Sequence, residues 1–503
     1  MGTIADKLTY LGQTKTEIRD AIISKGVTVP AATTFREYAG KIREITAGSG
    51  GENPVVWTRP ADWLSIENRV KEGDQKFVGL HAIYEDSNFI SLSATGNYTV
   101  DWGDGVVENF ASGVQAYHIY TYSSFPGTET TGGYRQAIVT VTPQSGQNLT
   151  NVNLQRKHKQ AGLNSYSTRW LDIRMSGQNM TSLVIGGATI MHRSLEACCF
   201  LGSNLITDFS KFFSGCSALQ SVSSLDTSKG TNFSNMFTSC TALKTIPLLV
   251  TSKGTDFSYM FESCASLKTV PLLDTTNGMS FSGMFFGCTL LPAVPLLNTA
   301  KGTDFSLMFS LSTALQAIPL LNTSNGAAFT SMFESCASLK TVPLLETSKG
   351  TDFSYMFQGC VSLQTVPLFK TLNGTDFSNM FFGCTALQTI PLLVTAKGSN
   401  FSNMFGSCAA LETLPLLNTS AGTNFSGMFT NCGTLSKASF TGTKNVLSYA
   451  GCKLSRTALV DIFNNLASGV SSKTITITNN WGAPLLTAGE KAIATGKGWT
   501  IVG

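Results

Sequence analysis

Cysteine recurs every 24 residues over almost half of the chain: Cys216, Cys240, Cys264, Cys288, Cys336, Cys360, Cys384, Cys408 and Cys432, with Ser312 in the one vacant position. A Met-Phe pair keeps the same step from Met236 to Met428, proline from Pro247 to Pro415, threonine from Thr251 to Thr419 and glycine from Gly254 to Gly422. Residues 207–437 are therefore one unit written about ten times. A unit of this length is too short to bury its own apolar face, so stacked neighbours must bury it together. The predicted fold is a β-solenoid, with parallel rungs ~4.7–4.9 Å apart and a rod on the order of 50 Å long.

Within the unit, "LKTVPLL" is short, apolar and β-branched, which predicts one strand per coil. Its proline removes a ladder donor, so pairing there should be imperfect. "TSKG" reads as a turn, with glycine supplying a conformation that other residues resist. "DFSYMFESC" begins on a residue able to cap a short helical turn, with Phe, Met and Phe pointing inward. The cysteine column reads as a buried ladder of small apolar side chains, since Ser312 is an adequate replacement. Zinc sites want closely spaced Cys and His, and all four histidines lie upstream of the column, so neither a metal nor a disulfide framework is expected.

"MFESCASLKTVPLLDTTNG" resembles the BspA-like leucine-rich repeats of bacterial surface proteins, whose hallmark is a recurring "MF..C..L". The resemblance covers about 230 residues and implies a binding solenoid that touches other proteins or cell surfaces.

Composition narrows the partners. Only 13% of the 503 residues are charged and the net charge is +4, so no strong field recruits nucleic acid or a membrane surface. No window is apolar enough for a membrane-spanning helix. The start, "MGTIADKLTYLGQTK", is amphipathic and lacks the apolar stretch of a secretory signal. A binder with that start is expected to reach the outside as part of a virion, made in the host cytoplasm and released by lysis.

Residues 1–46 fit such a role. Ile4, Leu8, Leu11, Ile18 and Ile22 share one helical stripe, and Thr34 with Glu37 forms a capping box before Phe35, Tyr38 and Ile42. Two helices this small bury too little surface to stand alone comfortably. The segment resembles the short helical head of many phage tail and fibre-like proteins, which implies docking onto other virion proteins. A small helical hairpin folded back on its own chain is the alternative. Residues 47–54 read as a flexible linker.

From 55 to 145 the period changes to that of strands, and "DWGDG" (Asp101 to Gly105) with "AYHIYTY" and "AIVTVTP" resembles the PKD-type immunoglobulin-like domain. Asp101 and Asp104 flank glycine in a tight turn, where aspartates usually bond their own backbone rather than act as acid and base. Residues 146–206 are expected to connect this sandwich to the solenoid and cap it. Residues 438–503 should close the far end with helices begun at Ser455 and Thr487 and two strands. The whole is predicted as an α+β multidomain chain, without cofactor or metal.

Function should sit where the repeat varies. One variable column contains Tyr259 and Tyr355, both suited to stacking on sugars. Another, just before the glycine, contains Lys229, Lys253, Lys301, Lys349 and Lys397, alternating in part with Asn277, Asn325 and Asn373. That column would present amines to an acidic glycan or protein, or would simply stay solvated. No Ser-His-Asp, metal or phosphate-cradling pattern stands out, so an enzyme is not expected. The reading is a bacteriophage structural protein (tail fibre, tail appendage or head decoration), with virion proteins, a host surface and further copies of itself as the expected partners; the alternative is a bacterial cell-surface adhesin.

Overall fold

The computed structural model describes residues 57–158, 166–187 and 191–503. The chain divides into two compact units, Met1–Arg59 and Pro60–Gly503. The helical module and linker expected over 1–54, with Leu8, Leu11, Ile18, Ile22, Phe35 and Tyr38, lie outside the described residues.

The second unit begins with two sheets. The strands are β1 (Lys76–Ile83), β2 (Phe89–Thr95), β3 (Tyr98–Asp101), β4 (Val107–Phe110), β5 (Gln115–Ile119), β6 (Arg135–Pro143), β7 (Asn151–Asn153), β8 (Trp170–Ser176), β9 (Ser182–Val184), β10 (Ala197–Leu201) and β11 (Ser221–Ser223). One sheet runs β11-β10-β8-β1-β6-β3-β4 and the other β5-β2-β7-β9. In the first, β1 pairs antiparallel with β6 and with β8, whereas β8 and β10, and β10 and β11, pair parallel. In the second, β2 is antiparallel to β5 and β7, whereas β7 and β9 are parallel. Both sheets thus change from hairpin pairing to parallel winding between residues 151 and 201. The segment expected as a connector contributes strands to both sheets, and β11 of the first repeat extends one of them. Side chains from both sheets, such as Val139, Trp170, Leu92 and Val152, join the same core as the repeats.

In the repeats the ladder lies elsewhere than the sequence suggests. Parallel bridges run along one column, Asp208 to Asn232 to Asp256 and onward to Asn424. From that column backbone amides bond to the next coil: Phe233 N to Asp256 O (2.9 Å), Asn235 N to Ser258 O (2.8 Å), Phe237 N to Met260 O (2.9 Å) and Ser239 N to Glu262 O (2.7 Å). The segment expected as a helical turn is instead a run of tight turns, closed by Met236 N to Phe233 O and Cys240 N to Phe237 O. Residues such as Asn235 (φ 58°) and Ser239 (φ 60°) are left-handed there, which breaks a helix and turns alternate amides towards the next coil. By contrast, the segment expected as the strand, "LKTVPLL" and its copies, forms few bridges, at Thr389–Thr413–Lys437 and between β12 (Leu417–Asn418) and β13 (Phe440–Thr441). Its proline has no N–H to give.

Two phenylalanine columns fill the interior. Phe233 stacks on Phe257 (5.6 Å, 5°) and Phe237 on Phe261 (5.7 Å, 9°), and the same contacts repeat along the rod. The repeated glycine has its reason here: a Cβ on Gly254 would lie 2.5 Å from Phe257 Cζ and 2.9 Å from Phe233 Cδ2. Close packing, not a left-handed backbone, excludes a side chain at that turn. The threonine column is buried, and each hydroxyl donates to a carbonyl of the next coil, as Thr251 Oγ1 does to Asp274 O (2.8 Å).

The far end closes with β14 (Leu447–Ser448), β15 (Lys473–Thr476) and β16 (Trp499–Val502), all parallel. Helix α1 (Arg456–Asn465) starts at the Ser455 cap, and α2 (Ala488–Thr495) at a capping box of Thr487 and Glu490. Tyr449 stacks on Phe429 (5.0 Å), ending the aromatic column.

Candidate functional site

The cysteine column is built for packing and backbone bonding. All twelve cysteines are buried and free. Cys240 Sγ reaches Phe213 O (3.2 Å), Cys264 Sγ reaches Phe237 O (3.1 Å), and the pattern continues to Cys432 on Phe405 O (2.9 Å). Ser312 makes the same bond, Oγ to Phe285 O at 2.7 Å, so the column's second requirement is a donor. Burial pushes the Cys264 and Cys360 thiols up to about 12, which removes the thiolate that nucleophilic or metal chemistry would use. Among the described residues, no group of three or more His, Cys, Asp or Glu is placed to hold a metal ion.

The carboxylates of "DWGDG" are occupied by structure. Asp101 Oδ1 accepts from Gly103 N (3.0 Å) and Asp104 Oδ1 from Val106 N (3.1 Å), the local turn bonds expected of them. Asp104 Oδ2 also lies 2.7 Å from His118 Nε2. The His118 ring stacks on Trp102 (5.1 Å, 11°), whose Nε1 donates to Glu108 Oε2 (2.7 Å). These contacts pin β3, β4 and β5 around a buried tryptophan.

The lysine column is on the surface, but it is not a row of independent amines. Lys301 Nζ donates to Asn277 Oδ1 (2.6 Å), Lys349 to Asn325 (2.7 Å) and Lys397 to Asn373 (2.8 Å). Each asparagine in turn donates to a carbonyl one coil back: Asn277 to Ser252 O, Asn325 to Ala300 O and Asn373 to Ser348 O. Lys229 at the first coil donates to Asn204 O (3.0 Å), and Lys253 is exposed. From Lys253 onward, alternation places ammonium groups two coils apart, roughly 10 Å, about one screening length at physiological salt. Each ammonium has three N–H groups, so those tied once to asparagine retain two for a ligand.

Tyr259 and Tyr355 stand four coils apart, roughly 19 Å, and do not form one site. Both are left-handed (φ 54° and 60°), as are the other residues of their column. The Tyr259 ring lies over Gly283, where an added Cβ would come within 2.3 Å of it.

Sequence reasoning missed two surface features. From Leu248 to Leu416, the residue after the repeated proline is an exposed leucine in all eight coils. Its signal was the unvarying "PL", masked because the segment was taken as apolar throughout. At the far end, Trp481 is 66% exposed with Lys453 Nζ 5.4 Å from its ring, beside a cleft lined by Asn479, Pro484 and Lys491. No pattern in the sequence separates that tryptophan from a buried one. Among the described residues, no helix is long and apolar enough to cross a membrane.

Comparison with known proteins adds a sequence likeness confined to the repeats. Overlapping segments spanning 202–448 match a Mycoplasma protein family of unknown function, DUF285, over slightly less than half of the chain. No curated protein shows a significant sequence match. Among solved structures, a leucine-rich repeat protein from Bacteroides ovatus is similar at 14% identity, covering 72% of this chain and 97% of that one, with a TM-score of 0.31. Another, from Eubacterium ventriosum, has 17% identity, covers 54% and 57%, and has a TM-score of 0.20. Both likenesses are too loose to carry function, and the solenoid rests on the chain's own coil-to-coil bridges and hydrogen bonds.

Proposed function

We propose that the chain is a non-enzymatic structural protein of a bacteriophage virion, a fibre, tail appendage or head decoration. Residues 1–46 dock it onto other virion proteins, and the solenoid is displayed to the host surface. The observation that carries the display role is the repetition of identical surface positions on a stacked, fully packed rod. A ligand met by one lysine meets the same chemistry two coils on, which favours multivalent binding. Buried, protonated thiols and engaged carboxylates support a scaffold rather than a catalyst. The N-terminal segment's resemblance to phage helical heads supports the virion.

Lys301, Lys349 and Lys397 are the proposed contact for an acidic glycan or protein, with Tyr259 and Tyr355 as separate stacking positions. Mass spectrometry of purified particles should find the chain; finding it only in cell-wall fractions overturns the virion reading in favour of an adhesin. Deleting residues 1–46 should abolish incorporation while leaving the solenoid folded. Replacing the three lysines with alanine should weaken binding to host cells without altering the circular dichroism.

A further inference from the structure

The exposed leucine column has no role in the fold. It runs at a step of 24 from Leu248 to Leu416, and each side chain is between 49% and 69% exposed. The next outward position, two residues on, ranges over Val250, Asp274, Asn298, Glu346 and Lys370. That edge of the coil therefore accepts apolar, polar and charged side chains alike, yet the leucine never changes. Scattered surface leucines need no explanation, but a continuous apolar stripe of this length marks a contact surface.

The stripe ends in a serine on both sides. Ser224 stands one step before Leu248, with a left-handed backbone (φ 57°). At the other end, the β12–β13 register places Ser439 beside Leu416. Ser439 is buried, and its hydroxyl bonds Asp461 of α1. The chain's own helix thus covers this face where the leucines stop, and among the described residues nothing covers it along the eight coils.

We propose that the stripe is the interface between two copies of the chain, packed leucine column against leucine column. Two arguments select a second copy. Each leucine presents on the order of 100 Å² of apolar surface, so the column offers roughly 800 Å² per copy, the contribution of one partner to a standard stable interface. The leucines also repeat at the rung spacing of ~4.7–4.9 Å. A second copy carries the same spacing, so leucines of one column seat between leucines of the other along the whole length. Such a face is self-complementary, as a twofold interface requires. The pairing leaves the lysine column and both tyrosines outside the stripe, and it holds whatever they bind.

Light scattering coupled to size exclusion of the full chain at micromolar concentration tests this. The wild type should run at twice the chain mass of 53.6 kDa. The triple variant Leu272→Glu, Leu320→Glu, Leu368→Glu should run at the single-chain mass with unchanged circular dichroism, its dissociation constant raised by about 100-fold or more. A wild type at the single-chain mass overturns the proposal, including the case in which the stripe captures another protein instead. A triple variant still at the doubled mass also overturns it, because association would then lie elsewhere, residues 1–46 included. Should the glutamates prevent folding, the corresponding leucine-to-serine variant must still lower the mass.

Discussion

In the two sheets of residues 76–201 each buried side chain has its own set of partners; in the coils it packs on copies of itself. Trp102 is held by His118, Glu108 and the Tyr120 hydroxyl on its carbonyl, three different chemistries used once. Phe305 is held by Phe281 and Phe329, the same contact on either side. The sheets are held by strands distant in sequence, such as β1 with β6 and β8, whereas each coil contacts mainly the coils before and after it. The lesson concerns how damage spreads: a solenoid is approximately a sum of coils and nearest-neighbour interfaces, while a core of unlike, interlocked contacts fails as a unit.

The largest effect that would break this comparison is a hole in the aromatic column. Phe305→Ala should cost about 3–5 kcal/mol and divide unfolding into separate transitions on either side of the damaged coil, seen in denaturant titrations. A single cooperative transition with a comparable loss would show that the coils unfold as one body.

Acid separates the two regions next. All four histidines precede the repeats, and two of them, His81 and His192, are fully buried. Burial lowers the pKa of His81 to about 3, with His192 and Arg169 adding to it, and lowers that of His192 to about 4. Both are held neutral in the fold, so the unfolded chain binds these protons first. Their contribution is complete above the ordinary histidine pKa of 6.5 and is lost as pH falls towards 4 and then 3, on the order of 3 kcal/mol for His192. Hydrogen exchange across that window should rise in residues 76–201 while the coils stay protected. His192→Gln should flatten the dependence; equal loss in the coils would contradict the assignment.

A smaller effect sharpens the account of the thiol column. Cys288→Ser should be nearly neutral, because Ser312 already makes that bond. Cys288→Val fills the space but leaves Phe261 O without the thiol, and should cost about 1–2 kcal/mol. Equal melting temperatures for the two variants would reduce the column to space filling. The smallest expected effect lies at the left-handed positions. Leu307 has φ 60°, a conformation asparagine adopts more readily, so Leu307→Asn should be neutral or stabilise by up to ~1 kcal/mol. A loss would show that the leucine packs well enough to outweigh its backbone strain.

The repeat step was enough to recover the solenoid, because Phe, Met, Cys, Thr and Leu recurring at one interval can share a core only by stacking. The caps at Ser455 and Thr487 were equally legible, since capping is local chemistry. The position of the ladder was not. "DFSYMFESC" has the pattern of a capped helical turn, and only contact with the next coil makes left-handed Asn235 and Ser239 worthwhile. The glycine column was located correctly, but its cause is two phenylalanine rings, one of them from the preceding coil.

The candidate surface divides in the same way. The lysine and asparagine column could be read from spacing, whereas its bonding, lysine to asparagine and asparagine to carbonyl, required the coils to be stacked. The sequence by itself determined that these residues would line up, because periodicity is a property of one chain. Tertiary structure decided which columns face inward, which bond to one another and which remain bare. Those outcomes depend on the twist and spacing between coils, and for this reason the leucines from Leu248 to Leu416 emerge as surface although their composition reads as core.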